Sequence, residues 1–341
     1  MTSRANPADT APTLWARMLR ETLAAAARCG LDADALRGTL GLAEAELEDA
    51  DARLPLDCMY RLFELCIEHT RGEAAPLRVM SHVNLDAFDA LGVLATTSAT
   101  VEEAMDAMWR YARVFIEGER YTVERTPAGA TYGYLPWGPS RPAHAAMAEL
   151  FARDLAVNIP QLAGVAVHDV QVRLRHEPTH PQVHAALLGG QVQFGAGLDE
   201  VTYTAQFLAQ PLPRANPMFQ AFALRYLDAR LAALPPESPL ARAHQLVVRD
   251  LARGELSLEA VARELAVSPR TLQRALGEQG TSFSALVDDV RRARALALLR
   301  AGAAVVEVAW LVGYSEPSPF VRAVKRWTGV SPVVVRGGSA G

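Results

Sequence analysis

The stretch Val261–Leu276, VARELAVSPRTLQRAL, predicts two helices joined by a tight turn. A helix-forming run with one apolar face ends at Val267. Ser268 is a favourable N-cap for a second helix, and Pro269 fits the first turn because the N–H that proline lacks would have no partner there. Two helices this close in sequence are typical of a helix-turn-helix, whose second helix enters the DNA major groove.

The second of these helices has an outward face suited to contact with bases. Leu272 and Leu276 are four residues apart and predict the buried face, which leaves Arg270, Gln273 and Arg274 on the outward side. Arginine can bond guanine O6 and N7 together, and glutamine can do the same with adenine N6 and N7. We therefore expect these three side chains to read bases.

The same pattern returns 47 residues later as VAWLVGYSEPSPFVRAV, Val308–Val324, with one inserted residue that brings Arg322 to the place of Arg274. Between the copies, Ser282 begins a predicted helix with one apolar face. Two similar units on one rigid helix can address successive major-groove faces, about 34 Å apart. The duplication favours DNA binding over the alternative, a helical protein-interaction module with solvated surface arginines.

The charge of the chain changes sign along its length. Residues 1–239 hold 20 arginines against 29 Asp and Glu, a net charge of −9, whereas residues 240–341 hold 14 Arg and Lys against 9 Asp and Glu, a net charge of +5. A basic C-terminal part favours a polyanionic partner. Nearly all of the basic residues are arginine, and Lys325 is the only lysine.

The sequence favours a cytoplasmic, nucleoid-associated protein without a membrane contact. It has no run of about 18 uncharged apolar residues, and its N-terminus lacks an apolar signal core. The three cysteines have no metal-type spacing and predict reduced thiols.

Three prolines, at 235, 236 and 239, predict the end of a helix over 217–233 and the start of a separate all-helical unit. We expect an α+β fold overall. An effector-binding and dimerisation domain of mixed helices and strands covers 1–206, a connecting helix and proline-rich linker cover 207–238, and a double helix-turn-helix domain covers 239–338.

Periodicity and capping signals predict the elements of the N-terminal part. The sheet is expected to be mixed or antiparallel. The predicted helices are 13–28, 57–70 with Asp57 as N-cap, one from Thr100 with Glu103 in capping-box spacing, 142–159 and 181–188; the predicted strands flank a hairpin turn at Pro127–Gly129 and cover 168–175, 191–195 and 200–204.

The run SLEAVARELAVSPRTLQRALGEQGTSFSALVDDVRRARALALLR, followed by VGYSEPSPFVRAVKRWTGVSP, resembles the DNA-binding domain of the AraC/XylS transcriptional regulators over 255–332. The stretches DAFDALGVLATTSATVEEAMDAMWRYARVF and QVQFGAGLDEVTYTAQFLAQPLP resemble the arabinose-binding-type effector and dimerisation region of the subgroup that contains OruR and VirS. The resemblance implies a bacterial homodimer that binds double-stranded DNA, works with RNA polymerase and activates transcription when a small molecule binds its N-terminal domain.

The resemblance also implies which side chains touch DNA. Residues in the positions of base-reading side chains are Arg270, Gln273, Arg274, Ser318 and Arg322; those in positions that suit phosphate contact are Ser268, Thr271, Lys325 and Arg326.

The second unit departs from the family pattern at Pro319, at Val324, where phenylalanine is usual, and at residues 333–335, which are all valine. Two starts are open for its recognition helix. If Ser315 is the N-cap, Pro319 deletes the first intrahelical hydrogen bond; if the helix starts at Ser318, it loses nearly a turn. On either start we expect the second helix to read sequence less fully than the first.

No catalytic residue, cofactor or metal is predicted. The sequence has no GxSxG, GxGxxG after a strand, Walker A or HExxH motif. His176, His180 and His184 have the i, i+4, i+8 spacing of a helical metal site, but Pro178 and Pro181 break the helix that such a site requires.

Two rival classes stay open at this point. A catalytic domain fused to a DNA reader, such as an alkyl acceptor, needs a reactive cysteine, whereas Cys58 and Cys66 lie on an apolar face that predicts burial. A metal- or redox-responsive regulator would differ only in its effector. A dense set of aromatic residues can line an effector pocket or fill a core, and pocket residues are not assigned: Trp109, Tyr111, Phe115, Tyr132, Tyr134 and Trp137.

Overall fold

A computed structural model of the chain divides into two units, Met1–Leu234 and Pro235–Gly341. The α+β fold with an all-helical C-terminal part is confirmed. The structure describes residues 12–337 apart from 50, 71–73, 84–89, 139–140, 165–169, 190, 197, 236–238, 252–255, 279–280 and 301.

The first unit contains twelve described helices and seven described strands. The strands are β1 (Thr13–Trp15), β2 (Arg53–Pro55), β3 (Arg120–Thr126), β4 (Gly129–Leu135), β5 (Gln171–Arg173), β6 (Val192–Gln193) and β7 (Asp199–Thr204). The helices are α1 (Ala16–Arg28), α2 (Ala33–Thr39), α3 (Glu44–Glu48), α4 (Leu56–Thr70), α5 (Ala75–Met80), α6 (Ala90–Thr97), α7 (Val101–Phe115), α8 (Ala143–Arg153), α9 (Ile159–Ala163), α10 (Pro181–Leu187), α11 (Ala205–Leu208) and α12 (Pro217–Ala233), with a π-helical turn, Asp154–Asn158, between α8 and α9.

The main sheet of this unit has the strand order β3-β4-β7-β5-β6. All neighbours are antiparallel except β5 and β6, so the sheet is mixed. The predicted hairpin joins β3 to β4, and Gly129 at its end is required because a Cβ there would lie 1.9 Å from the carbonyl oxygen of Tyr203. Strand β4, which lies between β3 and β7, is buried along most of its length, and its Tyr132 and Tyr134 pack against the rings of Trp109 and Phe151 on the neighbouring helices.

Several predicted boundaries in the first unit need correction. The helix predicted over 13–28 begins only at Ala16, because residues 13–15 pair with β2. Asp57 lies inside the first turn of α4, not at its N-cap. The helix predicted over 142–159 consists of three segments: α8, the π-helical turn and the start of α9. The strand predicted over 168–175 is shorter, since β5 covers only Gln171–Arg173. Residues 168 and 169 lie outside the described residues.

Other local predictions are confirmed. Thr100 caps α7 by accepting a hydrogen bond from the amide of Glu103 at 3.2 Å, and the Glu103 carboxylate accepts one from the amide of Ala99. The helix predicted over 217–233 is α12, with Asn216 as its N-cap.

The second unit consists of helices around one apolar core. They are α13 (Pro239–Asp250), α14 (Leu258–Glu264), α15 (Pro269–Glu278), α16 (Phe283–Arg300), α17 (Val305–Leu311), α18 (Pro317–Thr328) and α19 (Pro332–Gly337). The core takes Leu272 and Leu276 from α15, Leu286 from α16, and Phe320 and Val324 from α18. Both helix-turn-helix units, α14–α15 and α17–α18, therefore share the core that the long helix α16 runs through.

The second recognition helix begins where neither sequence alternative placed it. Glu316 is the N-cap of α18, so Pro317 occupies the first helical position and Pro319 the third. The first three amides of a helix have no intrahelical acceptor, and proline at these positions therefore costs no hydrogen bond. The helix is 12 residues long against 10 for α15, and the expectation of a shortened second helix is wrong.

A comparison of the two helix starts explains why a proline suits the third position of α18. In α15 the third residue is Thr271, whose amide donates to the Ser268 hydroxyl at 3.1 Å. In α18 the N-cap side chain of Glu316 makes no capping bond, and Pro319 has no amide that needs one. At the third helix position, the first unit satisfies the backbone amide with a serine hydroxyl. In the second unit Pro319 has no backbone amide at that position, so no donor is left unsatisfied.

We predict that Pro319→Ala weakens the start of α18. Alanine restores an uncapped amide and adds conformational entropy to the unfolded chain, a loss of about 0.4–1 kcal/mol. Hydrogen exchange of the full chain should then show amides of the first α18 turns opening roughly two- to fivefold more readily. Pro317→Ala should act in the same direction. Slower exchange in Pro319→Ala would show that the proline disrupts the helix after all.

Candidate functional site

The N-terminus of α15 is fixed by side-chain hydrogen bonds. The Ser268 hydroxyl accepts from the Thr271 amide and lies 2.7 Å from the Thr271 hydroxyl oxygen. Both residues are exposed, at the end of the helix where backbone N–H groups and the helix dipole favour an anion. This geometry supports phosphate contact by the two hydroxyls.

The remainder of α15 separates a buried face from a solvent face as the sequence predicts. Leu272 and Leu276 have no accessible surface, whereas Arg270, Gln273 and Arg274 are all exposed. The Arg274 guanidinium lies 3.7 Å from Glu278 on the same helix, a loose and solvent-exposed pair. Such a pair contributes only about 0–1 kcal/mol, so it leaves Arg274 available to a base.

α18 presents the same arrangement at matching helix positions. Both helices begin with proline at the first position, so Arg322 occupies in α18 the sixth position that Arg274 occupies in α15. Arg322 and Ser318 are exposed, and Phe320 and Val324 are fully buried. The second position, Arg270 in the first helix, is Ser318 in the second. The two helices therefore share one arginine position and differ in their other exposed side chains.

Polar contacts bind the second unit to the long helix α16. Arg291 on α16 donates to the carbonyl oxygens of Val312 and Gly313, at 3.1 and 2.9 Å, and its guanidinium lies 4.7 Å from the ring centroid of Tyr314. These groups form the turn between α17 and α18. The sequence shows Arg291 only as one of several arginines beyond an apolar face, and its role in holding this turn was not predicted.

A second set of contacts joins α18 itself to α16. Arg326 donates to both carboxylate oxygens of Asp288 at 2.9 Å, and the Trp327 indole N–H donates to one of them at 2.9 Å. Arg326 can still approach a phosphate because its side chain is well exposed, but it also has this structural partner. Lys325 is exposed, and no ion pair of Lys325 occurs within the described part of the chain.

The first unit contains a cavity of about 110 Å³ between α7, α8 and the sheet. Trp109, Phe115 and Tyr134, three of the aromatic residues noted in the sequence, line it, whereas Tyr111, Tyr132 and Trp137 do not. The full lining is Met18, Leu91, Met108, Trp109, Ala112, Phe115, Ile116, Glu119, Tyr121, Tyr134, Met147, Leu150, Phe151, Asp154 and Leu155.

Two carboxyl groups in this lining, Glu119 and Asp154, were not predicted from the sequence. Glu119 accepts hydrogen bonds from the phenols of Tyr60, Tyr121 and Tyr134, at 3.1, 3.0 and 2.6 Å. Asp154 accepts one from the side-chain Nδ2 of Asn158 at 2.8 Å. Burial raises the pKa of each carboxyl to about 7. No local motif marks either residue, because the groups that surround them come from distant parts of the chain.

The histidines with metal-like spacing have a different role. His176 Nε2 and His184 Nε2 lie 2.7 and 3.0 Å from the same Glu149 oxygen. Burial raises the pKa of Glu149, but hydrogen bonds from the two imidazoles outweigh it and leave that pKa below its usual value; the Glu149 bond in turn raises the pKa of His184. Among the residues that the structure describes, no set of three ligand side chains is arranged to hold a metal ion.

The thiols do not have the environment of a reactive cysteine. Burial raises the pKa of Cys66 to about 12 and also raises the pKa of Cys58. A nucleophilic thiol requires the opposite shift, in an electropositive setting. The alkyl-acceptor alternative therefore has no support from these groups. None of the described helices combines the length and the hydropathy that a bilayer span requires.

Comparison with known proteins agrees with both units. Residues 30–212 match the family of the N-terminal arabinose-binding domain of AraC transcription regulators, and residues 261–337 match a helix-turn-helix domain family. The chain belongs to the AraC family of transcription regulators. It is thus a DNA-binding regulator with an arabinose-binding-type domain, and not an enzyme.

Its relatives are regulators over nearly the whole chain. The regulator VirS of Mycobacterium tuberculosis is 29% identical over 287 residues, 83% of this chain and 84% of VirS. The ornithine utilization regulator of Pseudomonas aeruginosa is 28% identical over 346 residues, 95% of this chain and 96% of that protein. The crystal structure of the regulator CdpR from Pseudomonas aeruginosa is 21% identical and covers 94% of this chain and 98% of its own, with a TM-score of 0.46.

We predict that Arg274→Ala and Arg322→Ala each cost roughly 1–3 kcal/mol in specific DNA binding and relax the base preference at one position, because both arginines project from the same place on a complete helix. Lys325→Ala should weaken specific and nonspecific binding alike and reduce the salt slope by about one unit. Binding would be measured by fluorescence anisotropy at several salt concentrations.

Arg214→Ala is the matched control, since it removes an exposed arginine from the other unit, outside α12. It should leave specific affinity within about twofold, a change of under 0.5 kcal/mol. If Arg322→Ala behaves like this control while Arg274→Ala loses specificity, only the first helix reads bases.

Proposed function

We propose that the chain is a homodimeric, cytoplasmic and nucleoid-associated activator that binds double-stranded DNA through both recognition helices and is controlled by a small-molecule effector. The observation that carries this proposal is the equivalence of α15 and α18, two complete helices with buried apolar faces and an exposed arginine at the same position. We assign base contacts to Arg270, Gln273, Arg274, Ser318 and Arg322, and phosphate contacts to Ser268, Thr271, Lys325 and Arg326.

The cavity in the first unit supports control by an effector. Ligand sites are concave, largely apolar and equipped with a few polar groups that fix orientation. This cavity has such a wall, with methionines, leucines and aromatic rings around two carboxyl groups. We assign the effector to it.

The exposed face of α12 supports a homodimer. Met218, Phe219, Phe222 and Tyr226 lie at i, i+1, i+4 and i+8 along this helix and are 37–71% exposed. A contiguous apolar patch of this kind marks a protein contact. A second copy is the occupant we assign, because a helix face can pair with itself about a twofold axis.

An apolar surface on the second unit supports a contact with RNA polymerase. Val306 and Trp310 are four residues apart on α17 and are 54% and 53% exposed. DNA contact calls for basic and polar side chains, so an exposed tryptophan beside a DNA-reading helix suits a protein partner better.

We predict that the full-length protein is stabilised by a member of a metabolite library in a thermal-shift screen. A ligand that binds only the folded state adds about 2.7 kcal/mol when its concentration is a hundred times its Kd. Ala112 lies in the cavity wall, and Ala112→Phe should abolish the shift without changing DNA affinity, because its side chain fills the cavity.

Ala128→Phe provides the control, since Ala128 is exposed at the hairpin turn and outside the cavity lining. It should retain both the shift and DNA binding. A ligand whose thermal shift and promoter response persist unchanged in Ala112→Phe would place the effector site elsewhere.

A further inference from the structure

The cavity is of a size for one small organic group. Its volume of about 110 Å³ is somewhat below the roughly 150 Å³ of an engineered apolar cavity that admits benzene. A single ring or a short branched chain therefore suits it, and the dominance of apolar side chains in the wall favours such a body.

The charge of the wall is unusual for a cavity of this size. Glu119 and Asp154 both line it, and both are partly buried. Burial is the main cause of the raised pKa of each carboxyl. Within the described residues, neither carboxyl forms an ion pair. Arg153, next to Asp154, instead donates to the carbonyl oxygens of Leu187 and Ser81, at 3.2 and 3.4 Å.

The hydrogen bonds of Glu119 favour its ionised form. All three partners are phenol O–H groups, which donate to a carboxylate, and the three come from α4, β3 and β4. Burial and the nearby Glu119 carboxylate raise the pKa values of Tyr60, Tyr121 and Tyr134, so these phenols stay protonated as donors. Three neutral donors and no positively charged residue in the described lining compensate the negative charge of this carboxylate only in part.

The aromatic rings provide a second feature that suits a cation. Trp109, Tyr121, Tyr134 and Phe151 line the cavity and contact one another, with centroid distances of 5.2–6.3 Å. Ring faces carry negative potential, and tryptophan and tyrosine faces attract ammonium groups within about 6 Å. An anionic ligand would be repelled by both carboxyls once they are ionised.

From these contacts we propose that the cavity selects a small organic cation, a primary amine on a compact aliphatic or single-ring body, with its ammonium group facing the acidic wall that Glu119 and Asp154 provide. This inference rests on the proposed effector role of the cavity and names the chemical class of the effector.

Affinity for an amine should rise with pH between about 6 and 8. Both carboxyls titrate near pH 7, so a rising pH increases the ionised fraction that binds an ammonium, while the amine, like a lysine, stays protonated with a pKa near 10. The other titratable groups on neighbouring elements are the phenols of Tyr60, Tyr121, Tyr134 and Tyr203, which stay neutral, and Arg153, which stays charged.

The test is isothermal titration calorimetry of the full-length protein with two matched sets of compounds. One set is isobutylamine, isobutanol and isobutyrate, and the other is benzylamine, benzyl alcohol and benzoate. At least one amine should bind about tenfold or more tightly than its alcohol, with the acid weakest, because a charge-assisted hydrogen bond replaces a neutral one. Only the amine should release protons on binding at pH 7.

Charge-removing variants of similar shape locate the interaction. Glu119→Gln and Asp154→Asn should each lower amine affinity about tenfold or more and reduce its pH dependence, with no matching loss for the alcohol. Glu124→Gln is the control, since Glu124 is exposed on β3 outside the cavity. It should leave amine affinity within about twofold.

The outcomes distinguish the ligand class from the effector role. If neither amine binds, or if an alcohol or acid binds as tightly as its amine, the cationic class is wrong. If in that case another metabolite still produces a shift that Ala112→Phe abolishes, effector control through this cavity stands. If amines bind but Glu119→Gln and Asp154→Asn bind them as the natural protein does, the proposed placement of the ammonium group is overturned.

Discussion

The attachment of both recognition helices to one linking helix is the constraint on which the DNA-binding unit depends. Leu272 and Leu276 on α15 and Phe320 and Val324 on α18 have no accessible surface and share one core with α16. Loss of a buried side chain such as Phe320 to alanine would cost about 3–5 kcal/mol. At 18 residues and about 1.5 Å of rise per residue, α16 is about 27 Å long.

Polar contacts add direction to this apolar packing. Arg291 holds two carbonyl oxygens of the second turn, and Asp288 receives hydrogen bonds from both Arg326 and Trp327. Apolar contacts alone allow a helix to rotate or slide, whereas bonds with fixed donors and acceptors fix its register. The two turns also share a left-handed residue, Ala266 in the first and Gly313 in the second, where a Cβ would come 2.6 Å from the carbonyl oxygen of Leu251.

The sequence was sufficient to predict the features that follow from local rules. Helix starts at Ser268 and Thr100, the hairpin at Pro127–Gly129, and the duplication of the helix-turn-helix all depend on capping, turn residues or spacing within a few positions. The start of α18 could not be read in this way. Ser315, Glu316 and Ser318 all lie close to Pro317 and Pro319. Which of them becomes the N-cap depends on how Phe320 and Val324 reach the core.

The cavity of the first unit could not be predicted from local rules, for a different reason. Glu119 gains its three phenol partners from three separate elements, and the raised pKa of Asp154 comes from burial by residues far away in sequence. An aromatic-rich sequence predicts either a core or a pocket. Trp109 and Tyr132 contact each other, yet Trp109 lines the cavity and Tyr132 does not. Only the packing of helices against the sheet decides which ring faces a cavity.

We propose that two helices of one chain read successive major-groove faces of DNA. Dimethyl sulfate interference on a bound genomic fragment tests it directly, because methylation of guanine N7 blocks the contact that an arginine makes there. We expect, for each bound chain, two clusters of interfering guanines on one face of the duplex, about 10 base pairs apart. A single cluster per chain, with free methylation one helical turn away, would contradict it.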